Sequence, residues 1–355
     1  MNNRERIINT ILNKPVDRQP LVAFFGPWYE TLQRWKNEGL TSDDWSEGLG
    51  LDPGFTVINV NLGYMPAFEY TVIEEKERTA IVRDSMGILQ EISRVGSSIP
   101  RYIEYPVKNM DDWQRMKERL DPDNEYRFLE NWNEIYDDYN HTDLVVQLGY
   151  YPYGVFGAAR NLMGAEELLV AFYDDPELVH DIMDYLTDFW LKIFEKVCSK
   201  VKVDIIHMWE DMSGKQGSLI SPNMIREFMV PNYKKIKAFT DKHDIPIFSV
   251  DTDGNCDELI PPFMEGGVNL LYPFEVAAGC DIVDYKERYP SLGMIGGIDK
   301  RALALGKEDI DKELDRIAPM FKVGGYIASL DHLIPPDISY SNFVYFIEGL
   351  KKRIF

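Results

Sequence analysis

The sequence predicts an α/β protein built as a barrel of parallel strands with helices on its outside. From residue 143 onward, short and uniformly apolar strands alternate with helices six times in a row. Such strands are covered on both faces, as they are in parallel sheets. A barrel is favoured over an open doubly wound sheet because no GxGxxG motif follows a first strand. Polar residues also follow nearly every strand, rather than gathering at one switch point.

Each element is predicted from its own pattern of residues. Asp175 and Pro176 begin a helix that runs to about residue 200, because Asp caps helices and Pro suits the first helical turn. Its apolar residues fall on one helical face. Ser221 and Pro222 begin another helix in the same way, and it runs to about residue 242. The predicted strands are 144–148, 203–208, 246–250, 269–272, 292–295 and 326–329, and the further helices are 109–120, 257–265, 282–288, 307–321 and 339–352.

The first third of the chain lacks this alternation. Aromatic and Pro/Gly-rich pieces are mixed there with an alternating stretch near residues 79–94. We therefore expect residues 1–355 to form a single barrel domain in which residues 1–140 are an irregular N-terminal elaboration.

Composition excludes several classes of function. The 355 residues carry a formal charge of −21, and no basic run is long enough to follow a nucleic-acid backbone. No apolar run approaches the length of a membrane span, and residues 1–12 show no signal peptide. The three cysteines form no CxxC motif, which is typical of a reducing cytoplasm. The charge also argues mildly against a polyanionic substrate.

Acidic side chains follow five of the predicted strands. In a parallel barrel these positions converge on one mouth, where barrel enzymes place their active sites. Any single Asp at a strand end could instead be a turn former or a helix cap. Taken together, the carboxylates would raise one another's pKa unless a divalent metal or a cationic substrate lay among them. The residues at these ends are Glu210, Asp211, Asp251, Asp253, Glu275, Asp299, Asp331 and His332.

A metal site is one interpretation of this set. Asp251 and Asp253 are two residues apart, so on an extended segment both point to one side, and His332 could supply a nitrogen. Glu210, Asp211 or Glu275 could complete the shell. One His with oxygen ligands is compatible with zinc, manganese or magnesium, and we expect zinc first.

Aromatic residues and a histidine are candidates for binding substrate. Trp28, Tyr151 and Tyr153 follow or flank strand-like runs and could line an apolar cavity, although core packing explains them equally well. His207 ends a strand, where it is either a core histidine held by a hydrogen bond or a site residue. With Glu275, these residues form the predicted substrate-binding set.

An ordered series of motifs resembles the uroporphyrinogen decarboxylase superfamily, which contains decarboxylases of haem synthesis and corrinoid-linked methyltransferases. The resemblance spans nearly the whole chain and implies a (β/α)8 TIM-type barrel with its site at the mouth. The motifs that carry it are Pro15-Val16-Asp17-Arg18-Gln19-Pro20, Leu219-Ile220-Ser221-Pro222 with Phe228 and Pro231, Gly254-Asn255, Gly296-Gly297-Ile298-Asp299, and Gly324-Gly325-Tyr326 before His332-Leu333-Ile334-Pro335-Pro336.

The two branches of this superfamily differ at positions that can be compared here. The decarboxylases carry an Arg-rich segment after the opening motif, but residues 21–29 contain no Arg. Their pocket Tyr corresponds to Gly157 or Ala158 and is therefore absent here, and Asp211 stands where they have a Ser. The methyltransferases carry a His-x-Cys zinc motif that falls on residues 251–253, where this chain has Asp-Thr-Asp. This harder donor set suits polarising an ether or hydroxyl oxygen better than binding a thiol.

The resemblance therefore implies a cytoplasmic enzyme that moves a methyl group from a small substrate, such as a methoxylated aromatic, to a separate corrinoid protein. Asp251, Asp253 and His332 would bind the metal or the substrate oxygen, and Glu210 or Asp211 would manage the proton. Two alternatives stay open. One is a decarboxylase of uroporphyrinogen or of a smaller acid, which would need a cluster of Arg or Lys at the mouth. The candidates for that cluster are Arg18, Arg83, Arg101 and Arg160. The other is a barrel that binds a small ligand without catalysis.

Overall fold

The structure is a computed structural model that describes residues 1–96 and 99–354. Its thirteen strands in the described residues are β1 (Phe55–Val57), β2 (Thr71–Glu75), β3 (Thr79–Arg83), β4 (Leu89–Ser93), β5 (Arg101–Glu104), β6 (Val145–Leu148), β7 (Ile205–Trp209), β8 (Ser213–Gly214), β9 (Gly217–Ser218), β10 (Ile247–Asp251), β11 (Leu270–Tyr272), β12 (Gly293–Ile298) and β13 (Tyr326–Leu330).

The helices surround these strands. In the described residues the α-helices are α1 (Asn3–Ile11), α2 (Tyr29–Asn37), α3 (Met110–Lys117), α4 (Trp132–His141), α5 (Val155–Met163), α6 (Ala165–Asp174), α7 (Pro176–Cys198), α8 (Pro222–Met224), α9 (Val230–Lys242), α10 (Ile260–Glu265), α11 (Ile282–Arg288), α12 (Lys300–Leu305), α13 (Lys307–Ile317) and α14 (Tyr340–Ile354). No helix in the part of the chain described here is both long and apolar enough to cross a membrane.

Seven strands form one parallel sheet in chain order, β1-β6-β7-β10-β11-β12-β13. The predicted α/β fold class is therefore confirmed. Segment 21–25 has no strand assignment, but its residues pack against both ends of this sheet. Phe24 contacts Phe55 of β1 at a ring-centroid distance of 5.1 Å, while Ala23 and Ala328 of β13 line the same small cavity. This extended segment thus lies where an eighth strand would complete the barrel.

The interior of the barrel is a separate apolar cluster. Alternate residues of successive strands point inward, which is the arrangement that fills a barrel of this size. Val22 of segment 21–25 joins the cluster, and α1 adds Ile7 and Ile11 at the bottom of the barrel. The buried strand residues of the cluster are Val145, Ile205, Ile247, Leu270, Tyr272, Ile295 and Ile327.

All six predicted strands are present, with ends shifted by three residues or fewer, whereas the N-terminal third is more regular than predicted. Strands β2–β5 form a four-stranded antiparallel sheet, within which the alternating stretch 79–94 is the β3–β4 hairpin. The sequence pattern of strand β2 is weak because every residue of that strand is exposed, so apolar and polar residues need not alternate. The predicted helix 221–242 also contains a π-helical turn, Ile225–Met229, between α8 and α9.

Candidate active site at the carboxyl ends of the strands

Backbone hydrogen bonds fasten the loops after β7 and β10 together. The carbonyl of Asp251 accepts from the N–H groups of Glu210 (2.8 Å) and Asp211 (3.3 Å). The hydroxyl of Thr252 accepts from the N–H of Met212 at 3.1 Å. Asp211 has φ 40°, a left-handed conformation that Asp tolerates better than most residues. These bonds bring the side chains of Asp211 and Asp251 to the same part of the mouth.

Asp211 lies in an ion pair with an arginine from α5. Nη2 of Arg160 is 2.8 Å from Oδ2 of Asp211, and Nη1 donates to the Asp211 carbonyl at 2.6 Å. The guanidinium also lies 4.9 Å from the centre of the Trp209 ring. Burial raises the pKa of Asp211, with Asp253 and Glu275 adding to the shift, while Arg160 opposes it.

Asp251 is the least compensated carboxylate of the mouth. Within the described residues no hydrogen bond or ion pair is made by its side chain. Burial raises the pKa of Asp251 well above its usual range, and the neighbouring charges of Asp253, Asp211 and Glu275 raise it further. Asp251 is therefore a carboxyl group that retains its proton at a pH where an ordinary aspartate has lost it.

His332 forms a pair with Asp253 across the mouth. Its Nε2 lies 3.4 Å from Oδ2 of Asp253, and its ring stacks on Phe25 with the two planes 12° apart. Burial lowers the pKa of His332, but the Asp253 carboxylate outweighs that effect, so the pKa is raised overall. Asp253 thus favours the imidazolium form and fixes one ring nitrogen.

A lysine joins two further strand-end carboxylates. Lys300 Nζ lies 3.7 Å from Glu275 and 3.6 Å from the fully buried Asp331. Glu275 accepts the N–H of Gly254 at 2.8 Å, and Asp331 accepts the N–H of Val276 at 3.0 Å. Gly254 is required at its position because φ is 77° and a Cβ would lie 2.5 Å from the Ser213 carbonyl oxygen. This network tightens the loops around Asp253.

Glu210 occupies a different place from its neighbour Asp211. It is fully buried, and its carboxylate accepts three backbone N–H groups at the start of α5, those of residues 155, 156 and 157, at 2.6–3.1 Å. Tyr233 donates to the same carboxylate at 2.7 Å. Gly154 allows this contact, since a Cβ there would lie 1.9 Å from the Trp209 carbonyl oxygen. Burial raises the pKa of Glu210 to about 7, although these donors oppose the shift.

His207 lies inside the barrel, below the mouth. Its Nδ1 is 3.0 Å from the Ser249 hydroxyl and 2.8 Å from the Tyr272 hydroxyl, and its ring stacks on Tyr272. Burial lowers the pKa of His207 to about 3, so the imidazole is neutral. Tyr272 in turn contacts Phe24, at a ring-centroid distance of 4.6 Å. His207 thus belongs to a polar layer between the apolar interior and the mouth.

The three predicted aromatic residues have different surroundings. Trp28 has a 41% exposed side chain, and its backbone N–H donates to the carbonyl of Ile334, beside the His332 loop. Tyr151 is 65% exposed and meets Trp209 edge to face at 4.7 Å. Tyr153 packs inward, against Tyr150 and Trp190. Trp28 and Tyr151 are thus available at the rim, whereas Tyr153 lies in the protein body.

The structure therefore brings together Asp211, Asp251, Asp253, Glu275 and His332, and it leaves Glu210, His207 and Tyr153 outside that group. The geometry does not provide a metal-ligand set: within residues 1–96 and 99–354, no three His, Cys, Asp or Glu side chains are placed to hold a metal ion. Metal binding by Asp251, Asp253 and His332 stays a prediction.

Of three further site residues, Lys300 escaped the sequence analysis. Arg160 was named only as one of the arginines of a decarboxylase mouth, and Phe25 only as part of the aromatic stretch 24–29 that could line a cavity. Arg160 lies on α5, a helix that was not predicted, and Phe25 lies in a segment without secondary structure. Lys300 could have been found, because it directly follows the strand-end residue Asp299 in the Gly-Gly-Ile-Asp motif. All three supply what the acidic set lacks, namely positive charge or a flat apolar face.

Comparisons with known sequences find similar proteins. A family model described as uroporphyrinogen decarboxylase matches residues 79–353. The chain is 27% identical to the uroporphyrinogen decarboxylase of Rhodococcus erythropolis over 194 residues, 51% of this chain and 49% of the relative. It is 25% identical to that of Desulfotalea psychrophila over 174 residues, 46% and 47% of the two chains. The matches thus span about half the length of these curated relatives.

Among solved structures, a methyltransferase from Methanosarcina mazei is similar over 99% of both chains, with a TM-score of 0.60. The sequence identity is 13%, so this similarity concerns the fold.

Proposed function

The chain belongs to the uroporphyrinogen decarboxylase family, and from that premise we propose that it is a methyltransferase-like enzyme of the cytoplasm. It would move a methyl group from a small substrate, such as a methoxylated aromatic compound, to a separate corrinoid protein. The observation that carries this proposal is the composition of the mouth, where Asp251 and the His332–Asp253 pair meet beside aromatic side chains.

The positions of the arginines favour this proposal over decarboxylation of a polycarboxylate. Arg18 pairs with Asp52 at 2.5 Å, and Arg101 is largely exposed beside Glu91. Arg160 contacts a carboxylate of the mouth, but it is already paired with Asp211. A substrate with eight carboxylates would therefore meet mainly like charge, which costs binding free energy. A neutral aromatic ether carries no charge and would meet no such repulsion.

Methyl transfer from an ether requires an acid, and the mouth contains two candidates. When the methyl carbon–oxygen bond breaks, the oxygen keeps the electron pair and must take up a proton. His332 and Asp251 both have raised pKa values, which favours the protonated form of each, so either could supply that proton. The corrinoid protein would supply the nucleophile that forms the new bond to the methyl carbon.

The surrounding residues would position the substrate. Asp253 orients the His332 ring, and Phe25 supports it from one face. Trp28 and Tyr151 are exposed aromatic side chains, and they could cover the apolar body of the substrate. Substrate roles for Glu275, His207 and Tyr153 stay predictions.

Zinc binding by the predicted set can be tested directly. Metal analysis of protein purified without chelator, compared with the Asp251→Ala variant, answers the question. Stoichiometric zinc that disappears in the variant would establish the metal site, whereas equal metal content in both proteins would exclude Asp251 as a ligand.

Decarboxylation is the second candidate, because both curated relatives are uroporphyrinogen decarboxylases. One experiment separates the candidates. The purified protein is incubated with a panel of ring-¹³C-labelled methoxybenzenes and reduced cobalamin as a surrogate acceptor, and in parallel with uroporphyrinogen. We expect labelled phenol from the first reaction and no coproporphyrinogen or CO₂ from the second. Decarboxylation without demethylation would overturn the proposal, and a complete lack of turnover with ligand binding would favour the non-catalytic barrel.

A further inference from the structure

A cavity outside the mouth lies between the β3–β4 hairpin, the segment after β5, and α3. Its volume is about 610 Å³, which is within the range of small-molecule sites. None of the residues that surround it belongs to the acidic group at the mouth. We infer that this cavity is a second binding site, for a small organic molecule that carries a carboxylate on an apolar body.

Two guanidinium groups face this cavity without a carboxylate partner. In the described part of the chain, neither Arg83 nor Arg119 forms an ion pair. Arg83 donates to the carbonyl of Gly87 at 3.1 Å, and Arg119 donates to that of Pro66 at 2.6 Å. Each guanidinium has further N–H donors, and its planar fork matches the two oxygens of a carboxylate. In a chain of charge −21, two such groups at one cavity are a site for an anion.

The other charges around the cavity largely neutralise one another. Lys108 pairs with Glu104 at 2.5 Å, and Arg115 pairs with Asp112. Lys108 lowers the pKa of Glu104, and the nearby charge of Arg83 adds a smaller effect. With Glu118 included, four cationic and three acidic side chains line the cavity, so its net charge suits a monoanion.

The remaining wall is apolar and holds one arginine in place. The Arg119 guanidinium lies 4.2 Å from the centre of the Phe68 ring. Gly87 lets that ring approach closely, since a Cβ at Gly87 would lie 2.9 Å from it. Tyr105 and the buried Met116 complete the apolar part of the wall. Stacking of Arg119 limits its motion before a ligand arrives, which reduces the entropic cost of binding.

Benzoate is a suitable probe, because it combines one planar carboxylate with an apolar ring. Calorimetric titration of the full-length protein at constant ionic strength should give saturable binding of benzoate. We expect benzamide, which lacks the charge, and inorganic phosphate, which lacks the apolar body, to bind at least about tenfold more weakly. Equal affinity for benzoate and benzamide, or tighter binding of phosphate, would overturn the inference.

Variants locate the binding site. Arg83→Gln and Arg119→Gln should each weaken benzoate binding at least about tenfold. The matched control is Arg101→Gln, at an exposed arginine of the same sheet, which should leave affinity unchanged. Arg83→Lys serves if a glutamine variant fails to fold, because it keeps the charge and loses the planar fork. If benzoate binds the folded Arg83 variants as it binds the wild type, or loses affinity only on His332→Ala, the cavity is not the site.

Discussion

The imidazole Nε2 of His332 lies 3.4 Å from the carboxylate of Asp253, although the two residues follow different strands, β13 and β10. Because parallel strands end at the same rim, residues distant in sequence form one acid–base pair. Phe25 stacks on the His332 ring, with the two ring centres 5.6 Å apart. The protonation of His332 can therefore be altered by substituting Asp253, while the histidine itself is kept.

Replacing Asp253 with Asn should lower the pKa of His332, because the carboxylate that favours the imidazolium form is removed. NMR titration of the ring protons measures this directly. A raised pKa in the folded state stabilises the fold fully below the unfolded pKa, and this contribution is lost as pH rises through the folded pKa. The variant should therefore lose stability mainly at acidic to neutral pH, and the alkaline limb of its activity profile should move to lower pH.

Asp299→Asn is the matched control for this titration. Asp299 also follows a barrel strand, β12, but it pairs with Arg301 at 2.7 Å. The control should leave the His332 titration unchanged. An unchanged His332 pKa in the Asp253 variant would show that the pair has no effect in solution.

Replacing Asp251 with Asn should remove activity while sparing the fold. General acids contribute about 10²-fold or more to the rate, so kcat should fall by that order. The folded-state pKa of Asp251 is raised, so its unfavourable contribution to stability appears as pH rises above the usual range of an aspartate. The free energy of unfolding in urea should therefore increase in the variant at pH 8 relative to pH 5. Unchanged kcat in the folded variant would leave His332 as the acid.

Replacing Arg160 with Gln should destabilise the rim. The variant loses an ion pair to Asp211, a hydrogen bond to the Asp211 carbonyl and the contact with Trp209. The expected loss is about 1–3 kcal/mol in the free energy of unfolding, with a change in tryptophan fluorescence. Arg226→Gln is the control, since its pair with Glu265 has the same 2.8 Å distance on an exposed surface and should change stability by less than about 1 kcal/mol. Equal losses of unfolding free energy in the two variants would show that the contacts of Arg160 at the rim add no more stability than an exposed ion pair.

The fold was predictable because six of the seven strands of the parallel sheet are short apolar runs with polar residues after them. Strand β1 was not predicted, because none of its three residues is fully buried and its sequence lacks that pattern. Segment 21–25 was not, because it fills the eighth position without forming a regular strand. Helix α5 was missed as well: it begins at Val155, and its start is fixed by Glu210, a residue more than fifty positions away. Contacts of this kind depend on the assembled barrel and leave no local pattern in the sequence.

Within the site, the convergence of Asp251, Asp253 and His332 followed from the strand ends alone. The different surroundings of Glu210 and Asp211 could not be predicted in this way. The side chains of these neighbours diverge, one towards α5 and the other towards the mouth. A difference of a single residue in where the strand ends decides which of them faces solvent, and sequence patterns do not fix strand ends that closely.

Glu210 provides the last test, because its contacts predict a role in stability. Replacing Tyr233 with Phe removes one donor to the buried carboxylate, and Glu210→Gln places an amide against the N–H groups of α5. Each change should lower the free energy of unfolding by about 1–3 kcal/mol. The double variant should lose less than the sum of the two, because both changes affect one network.

Tyr345→Phe is the matched control for the double-mutant cycle, since its hydroxyl donates to Asp311 at the same distance, 2.7 Å, near the surface. It should lose less stability than Tyr233→Phe and should show no coupling with Glu210→Gln. Urea unfolding of the single and double variants measures both the loss of stability in each variant and the coupling between the two substitutions. If the folded Glu210 variant keeps its stability but loses kcat, Glu210 acts on the proton as the sequence analysis predicted, and the contacts with α5 serve to position that carboxyl group.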